Sequence, residues 1–239
     1  MQKLIEMFPL IGTDPETAAR NSVFFVIAIT ALLFIIFAIL AAKREKKRVE
    51  QLRLHAEERG LAFEHDAEIP SKARRSDFFM NGRAYSKKAS NLTSSVKAGH
   101  HVFDIFDYQY VTGSGKSRTL HQYACAFSSL RSSAGRFFPI FSLVPENIFY
   151  RIADKFTHSD IDFEYYPHFS SLYHLTGPSR EQITEFFKPA ILSCLESHPG
   201  LEIYCDGENI TICKRGHLKA EQMAAFEDEA VEILQMMAM

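Results

Sequence analysis

Tryptophan is absent from this sequence, and cysteine is scarce, with four residues among 239. The cysteines are Cys125, Cys194, Cys205 and Cys213. None of them belongs to a C-x-x-C pair. A tight turn at Gly207-Glu208 is expected to place Cys205 opposite Ile210 and not opposite Cys213. We therefore expect four reduced structural thiols in a reducing compartment.

An excess of positive charge is also lacking. The chain has 27 Lys and Arg against 29 Asp and Glu, a formal net charge of -2. Residues 43–48 alone carry +4, so the rest of the chain sums to about -6. A mildly acidic folded part argues against a surface that follows nucleic-acid phosphates, and we expect no nucleic-acid partner.

Motifs for metal binding and nucleophilic catalysis are missing as well. Ten histidines are present, but there is no H-E-x-x-H and no Cys/His pair at zinc-finger spacing. His168 and His174 share one face of a predicted strand, yet they are too far apart for one ion. No serine lies in a G-x-S-x-G elbow. The sequence therefore predicts no metal, no cofactor and no catalytic set, which favours a non-enzymatic protein while leaving an enzyme open.

A long uncharged segment is present near the N-terminus. Fourteen of the 21 residues in Ser22–Ala42 are Val, Ile, Leu or Phe. As a helix this stretch is about 31 Å long, which matches a hydrocarbon core of about 30 Å. Its large apolar residues contribute on the order of -4 to -8 kcal/mol to insertion. We predict a transmembrane helix at 22–42, preceded by a short tail at 1–21.

Two alternatives to a membrane anchor are a cleaved signal peptide and a buried core helix. The apolar run is about twice as long as that of most signal peptides, and its positive cluster follows it instead of preceding it. The segment has no polar face to turn towards water, which argues against a core helix.

Basic residues directly after the apolar segment set its expected orientation: Lys43, Arg44, Lys46, Lys47 and Arg48. Only Lys3 and Arg20 precede the segment, among three acidic residues. The positive-inside rule therefore places the C-terminal side in the cytoplasm and the N-terminus outside. These five residues are also the predicted membrane-surface contacts, at about 1 kcal/mol each on anionic lipid. The simpler interpretation is that they only stop translocation.

The helix is expected to continue beyond the membrane as a basic stalk, residues 43–59. Neither Pro nor Gly interrupts the chain between Pro15 and Gly60, so one helix is predicted from about Pro15 to Arg59. Three apolar residues recur at heptad spacing on the stalk: Val49, Leu52 and Ala56. This single heptad leaves a weak homodimer as one option.

Residues 60–239 show the periodicity of short strands and helices. Strands are predicted at 61–64, 90–96, 101–111, 120–128, 138–144, 160–165, 171–176, 201–205 and 209–214. Helices are predicted at 71–79, 145–156, 177–197 and 219–237, the third bent or broken at Pro189. The fold class is therefore α+β: a mainly antiparallel sheet with packed helices. A subdivision near 130–136 is left open.

The glycine-rich segment Thr112–Ser117 is similar to a phosphate-binding loop. That motif needs a glycine where Tyr110 stands and a helix afterwards, whereas a strand is predicted to follow. A hairpin turn is favoured, with a weak anion nest at Lys116 as the alternative. If the domain binds a small ligand or nucleotide, the expected residues are Tyr108, Tyr110, Gly113, Gly115 and Lys116.

Several motifs occur together in one order: Gly60-Leu61-Ala62-Phe63, the F-D-Y-x-Y-x-T-G-S-G-K stretch at 106–116, Phe138–Glu146 and Asp160–Phe163. In these motifs and their order, the chain resembles a family of uncharacterised bacterial single-pass membrane proteins. The resemblance covers most of residues 22–215. It implies a bacterial inner membrane and brings no assigned activity.

The leading hypothesis from the sequence is a membrane-anchored cytosolic module that binds a protein partner or the bilayer surface. Tethering raises the local concentration, so weak binding is sufficient. The second hypothesis is a small-ligand or nucleotide-binding domain that uses the Gly113–Lys116 turn.

Overall fold

The structure is a computed structural model that describes residues 15–80, 84–99, 101–130, 138–146 and 160–238. It begins with a single long helix. This helix, α1, spans Pro15–Glu58, as its uninterrupted sequence predicts. The hydroxyl of Thr30 donates to the carbonyl oxygen of Val26 at 2.8 Å, so it does not oppose burial in lipid. Among the described residues, α1 is the one helix long and apolar enough to cross a membrane.

The chain divides into two compact units, residues 1–48 and 49–239. Within the first unit, the large apolar side chains from Val23 to Leu40 are exposed. The second unit begins inside α1. There, Leu52 and Ala56 are buried, and Leu52 belongs to the main hydrophobic core. These two predicted dimer contacts are therefore covered by the chain's own domain.

The second unit is built on one eight-stranded sheet. Its strands are β1 (Ala62–Glu64), β2 (Tyr85–Ala98), β3 (His101–Thr112), β4 (Thr119–Ser129), β5 (Ile140–Pro145), β6 (Tyr173–Thr176), β7 (Leu201–Asp206) and β8 (Asn209–Arg215). Their spatial order is β1-β2-β3-β4-β8-β7-β5-β6, and every pairing is antiparallel. The α+β class with a mainly antiparallel sheet is confirmed.

Two 3₁₀ helices lie in the second unit, at Ala73–Arg75 and Gly115–Ser117. Its described α-helices, besides the end of α1, are short except for the last. They are α2 (Asp77–Met80), α3 (Pro167–Leu172), α4 (Arg180–Phe186), α5 (Pro189–Ser197) and α6 (Ala220–Ala238). Pro189 opens α5, so it breaks the predicted 177–197 helix in two, because proline cannot donate to the preceding turn.

Side chains along the central strands point alternately to the two faces of the sheet, so a separate hydrophobic core forms on each face. On one face, Phe103 and Ile105 of β3 pack with residues of α4, α5 and α6 in the larger cluster. On the other face, Phe106, Tyr108 and Tyr110 lie in a smaller aromatic cluster with α2. The sheet is therefore covered on both sides, as expected for a strand that is apolar on both faces.

The end of α1 is joined to α6 through one buried carboxylate. His55 Nε2 lies 3.4 Å from Glu227 Oε2, and Arg59 pairs with the other oxygen. Burial raises the pKa of Glu227, while the two basic partners oppose that shift. This ion pair fixes the last turn of α1 to the domain.

In the region before α4, one predicted strand is absent and another begins two residues later than predicted. Residues 160–165 form no strand, because the side chain of Asp160 accepts hydrogen bonds from the backbone of Ile161 and Leu175. The predicted 171–176 strand begins only at Tyr173, since Pro167 starts α3 just before it. The predicted helix at 145–156 falls mainly outside the described residues, and Pro145 closes β5.

Candidate functional site

A groove of about 570 Å³ lies on the aromatic face of the sheet, and we refer to it as the tyrosine groove. It is lined by Ser76, Phe78, Tyr110, Tyr123, Ile140, Phe141, Ser142, Thr176, Gly177, Glu202, Tyr204, Cys205, Asp206 and Arg215. The strands supply most of its floor, and the segment around α2 supplies Ser76 and Phe78. Its volume is within the range of pockets that hold small ligands.

A polar network occupies the groove floor. The hydroxyl of Tyr204 donates to Glu202 Oε2 at 2.8 Å, and Arg215 lies 3.5 Å from Glu202 Oε1. Arg215 also donates to the hydroxyl of Tyr123 at 3.2 Å. Glu202 is therefore a nearly buried anion that is already bonded, whereas the side chain of Arg215 is 69% exposed. Arg215 is therefore an accessible cation in the groove, and its guanidinium has further N–H donors for a ligand.

Aromatic rings form the wall beside this network. Tyr110 stacks on Tyr123 with ring centroids 6.0 Å apart, and on His121 at 4.7 Å. Phe78 contacts the rings of Tyr123 and Tyr204 at 5.2 and 5.0 Å. Such a wall suits a flat apolar or aromatic group, which gains about 0.5–1.5 kcal/mol per ring pair beyond its burial.

The two phenols on the groove floor stay protonated at neutral pH. Burial, together with the neighbouring Glu202 carboxylate, raises the pKa of both Tyr123 and Tyr204 above the usual tyrosine range. A phenol that keeps its proton can donate a hydrogen bond but cannot act as a general base at pH 7.

The five predicted ligand residues do not lie together. Tyr110 lines the groove. Tyr108 is buried beneath Phe78 and Phe79, and its hydroxyl has no hydrogen-bond partner among the described residues.

Gly113, Gly115 and Lys116 form an exposed turn that does not line the groove. Both turn glycines have positive φ, and Ser114 O accepts from Ser117 N and Oγ. The turn is therefore closed largely by its own backbone. The favoured interpretation of a turn between β3 and β4 is confirmed, and its anion-binding role stays a prediction.

The predicted membrane-surface residues follow the apolar part of α1. Lys43, Arg44, Lys46 and Lys47 are exposed. Arg48 is buried, and its guanidinium donates to Glu45 Oε1 at 3.3 Å. Four of the five are therefore exposed, and their contact with a lipid surface stays a prediction.

A buried acid–histidine cluster lies at the β5–β6 edge of the sheet. His174 Nδ1 is 3.3 Å from Asp160 Oδ2 and 3.8 Å from Glu146 Oε2. Oxygen and nitrogen atoms at this spacing have the right identity for a divalent cation. The sequence did not predict this cluster, because its three residues come from separate segments of the chain.

The four cysteines are buried and form no disulfide in the part of the chain that the structure describes. Cys205 pairs with Ile210 across the β7–β8 hairpin, as predicted. Cys125 and Cys213 face each other on β4 and β8, with their sulfur atoms 3.2 Å apart. That contact was missed because the pairing of β4 with β8 has no local sequence signal.

Apart from Tyr110, the groove residues were missed for the same reason. Arg215 and Tyr123 are 92 residues apart in the chain and meet only through the β4–β8 register. The available signal was weak: two tyrosines at alternate positions on β3, Tyr108 and Tyr110, of which only Tyr110 lines the groove. No family model, curated protein or solved structure matches the chain.

Proposed function

We propose that this protein is a single-pass membrane protein whose second unit works in the cytoplasm as a non-enzymatic binding module. The exposed apolar surface of α1 and the four exposed basic residues after it support the anchor and its orientation. The resemblance to bacterial single-pass proteins supports an inner membrane. The exposed basic residues would add about 1 kcal/mol each on anionic lipid.

The binding site of this module is the tyrosine groove, and its occupant is a short segment of a protein partner. The observation that carries this proposal is the exposed guanidinium of Arg215, which lies 5.7 Å from the ring centroid of Tyr123 and beside the nearly buried Glu202. An aromatic side chain of the partner would stack beside Tyr110 and Tyr123. A carbonyl or carboxylate next to it would accept from Arg215. Buried aromatic anchors of this kind provide most of the energy in many interfaces.

Site-specific photocrosslinking in intact cells tests this proposal. A photoreactive amino acid at Ile140, on the groove lip, is compared with the same probe at Val102, which does not line the groove; both side chains are 49% exposed. We expect a discrete crosslinked protein from position 140 only. It should disappear with Arg215→Ala and persist with Lys116→Ala. Equal crosslinking from both positions, or crosslinking from position 140 that persists with Arg215→Ala, would contradict the proposal.

A second candidate is a free small molecule of the same chemistry, a flat ring bearing a carboxylate or phosphate. The volume of the groove, about 570 Å³, favours it. A ligand present at 100 times its Kd raises stability by about 2.7 kcal/mol, which a thermal melt resolves. A ligand in the groove requires Arg215, whereas a nucleotide at the Gly113–Lys116 turn requires Lys116. The two alanine variants therefore separate groove binding from turn binding.

A further inference from the structure

A second set of polar side chains lies on the helical side of the domain, away from the residues of the tyrosine groove. Cys194 belongs to α5 and His198 immediately follows that helix, four residues later. This spacing places both on one side of the helix end. Glu232 of α6 completes the set, with its Oε2 3.2 Å from His198 Nε2.

The three ligand atoms are close enough to share one ion. Cys194 Sγ, His198 Nε2 and the Glu232 carboxylate oxygen all lie within 4.8 Å of one another. Zinc bonds of about 2.0–2.3 Å at tetrahedral angles require separations of about 3.4–3.6 Å between ligand atoms. The nitrogen–oxygen pair, at 3.2 Å, needs to open by only about 0.2 Å. The sulfur needs to approach by about 1.2 Å at most, within reach of small side-chain rotations.

The surroundings favour a cation. The last carbonyl groups of α5 point past its C-terminus, where a helix carries partial negative charge. The backbone of His198 is held in place, because its N–H donates to Leu195 O and its carbonyl oxygen accepts from the Tyr173 hydroxyl. Cys194 is buried, His198 half-buried and Glu232 exposed, so an ion can enter from the Glu232 side.

We propose that Cys194, His198 and Glu232 form a zinc site that links α5 to α6. Thiolate, imidazole and carboxylate together suit zinc, whereas magnesium and calcium prefer oxygen ligands alone. On binding, the cysteine loses its thiol proton and His198 presents an unprotonated Nε2, so protons are released to solvent. The exposed side leaves a fourth position for water or for another ligand. This site is independent of the tyrosine groove and of the membrane topology.

Metal titration of the full chain in detergent, after chelator treatment, tests the site. We expect one zinc ion per chain, together with a thiolate-to-metal absorption band when cobalt replaces zinc. Cys194→Ala should abolish that band. His198→Ala and Glu232→Gln should weaken zinc binding by more than the roughly 10- to 100-fold that loss of an outer-shell partner costs.

Matched controls are available on the same fold. Cys205→Ala, His168→Ala and Glu221→Gln change the same residue types elsewhere, and each should leave zinc affinity within about twofold. Circular dichroism confirms that each variant is folded, and His198→Ala keeps the test valid if Cys194→Ala unfolds. Absence of zinc binding, or a cobalt complex without the thiolate band, would overturn the proposal. So would zinc binding that is lost with His174→Ala but not with His198→Ala.

Discussion

Replacing Leu52 with alanine should destabilise the domain, because the end of α1 is part of its core. Leu52 is 6% exposed and packs in the larger cluster. The substitution removes three carbon atoms, which at about 0.8 kcal/mol each is about 2.4 kcal/mol of lost burial. A cavity that closes only partly raises the cost towards 5 kcal/mol. For a domain of this size the melting temperature should fall by about 5–20 °C.

Leu54→Ala is the matched control, since Leu54 lies on the same helix and is 45% exposed. Its expected cost is about 0.5 kcal/mol or less. Thermal unfolding of the full chain in detergent can be followed by near-ultraviolet circular dichroism of the tyrosines, a signal that the transmembrane helix does not mask. Equal melting temperatures for the two variants would refute the assignment of this helical turn to the domain core.

Two further predictions concern positions where space or burial is decisive. Gly177→Ala should lower the free energy of unfolding by about 1–3 kcal/mol, measured by urea denaturation. The reason is that an added Cβ would lie 2.5 Å from the carbonyl oxygen of Ile140 and would also clash with Ile183 Cδ1. An unchanged urea midpoint would show that Ile140 and Ile183 leave room for the added methyl group. Burial raises the pKa of Cys205 to about 12, so at pH 8 its thiolate is about a thousandfold scarcer than that of a free thiol. Labelling with a disulfide reagent, mapped by mass spectrometry, should be slow in the native protein and fast in urea; rapid native labelling of Cys205 would contradict this.

The parts of the fold that sequence analysis predicted are those with local causes. The β7–β8 hairpin follows from Asp206-Gly207, where Gly207 has positive φ and Asp206 Oδ1 accepts from the Glu208 and Asn209 backbone. The break between α4 and α5 follows from Pro189. In both places a single residue determines the backbone, so no distant contact is needed.

The wrong predictions arose where a side chain replaced a strand partner. Ile161 and Phe163 alternate with acidic residues as they would in a strand. Instead, the Asp160 carboxylate accepts a hydrogen bond from the backbone N–H of Leu175. The backbone N–H of Tyr166 donates to the carbonyl oxygen of Phe163 and so forms a turn. Period-two patterning cannot distinguish these two outcomes.

The groove and the zinc set could not be predicted because both depend on strand order and helix packing. Arg215 reaches Tyr123 only because β8 pairs with β4 and not with a strand nearer in the chain. His198 reaches Glu232 only because α5 and α6 pack on the same face of the sheet. Such contacts between residues distant in sequence carry no periodicity in the chain.

We propose that α1 anchors the domain at the cytoplasmic side of a membrane, and a pair of C-terminal fusions decides whether it does. Alkaline phosphatase is active only outside the cytoplasm, whereas a fluorescent protein that folds only in the cytoplasm reports the opposite. We predict a fluorescent, phosphatase-inactive protein that fractionates with the membrane. Phosphatase activity at the C-terminus would contradict the proposed orientation, and full recovery in the soluble fraction would contradict the membrane anchor.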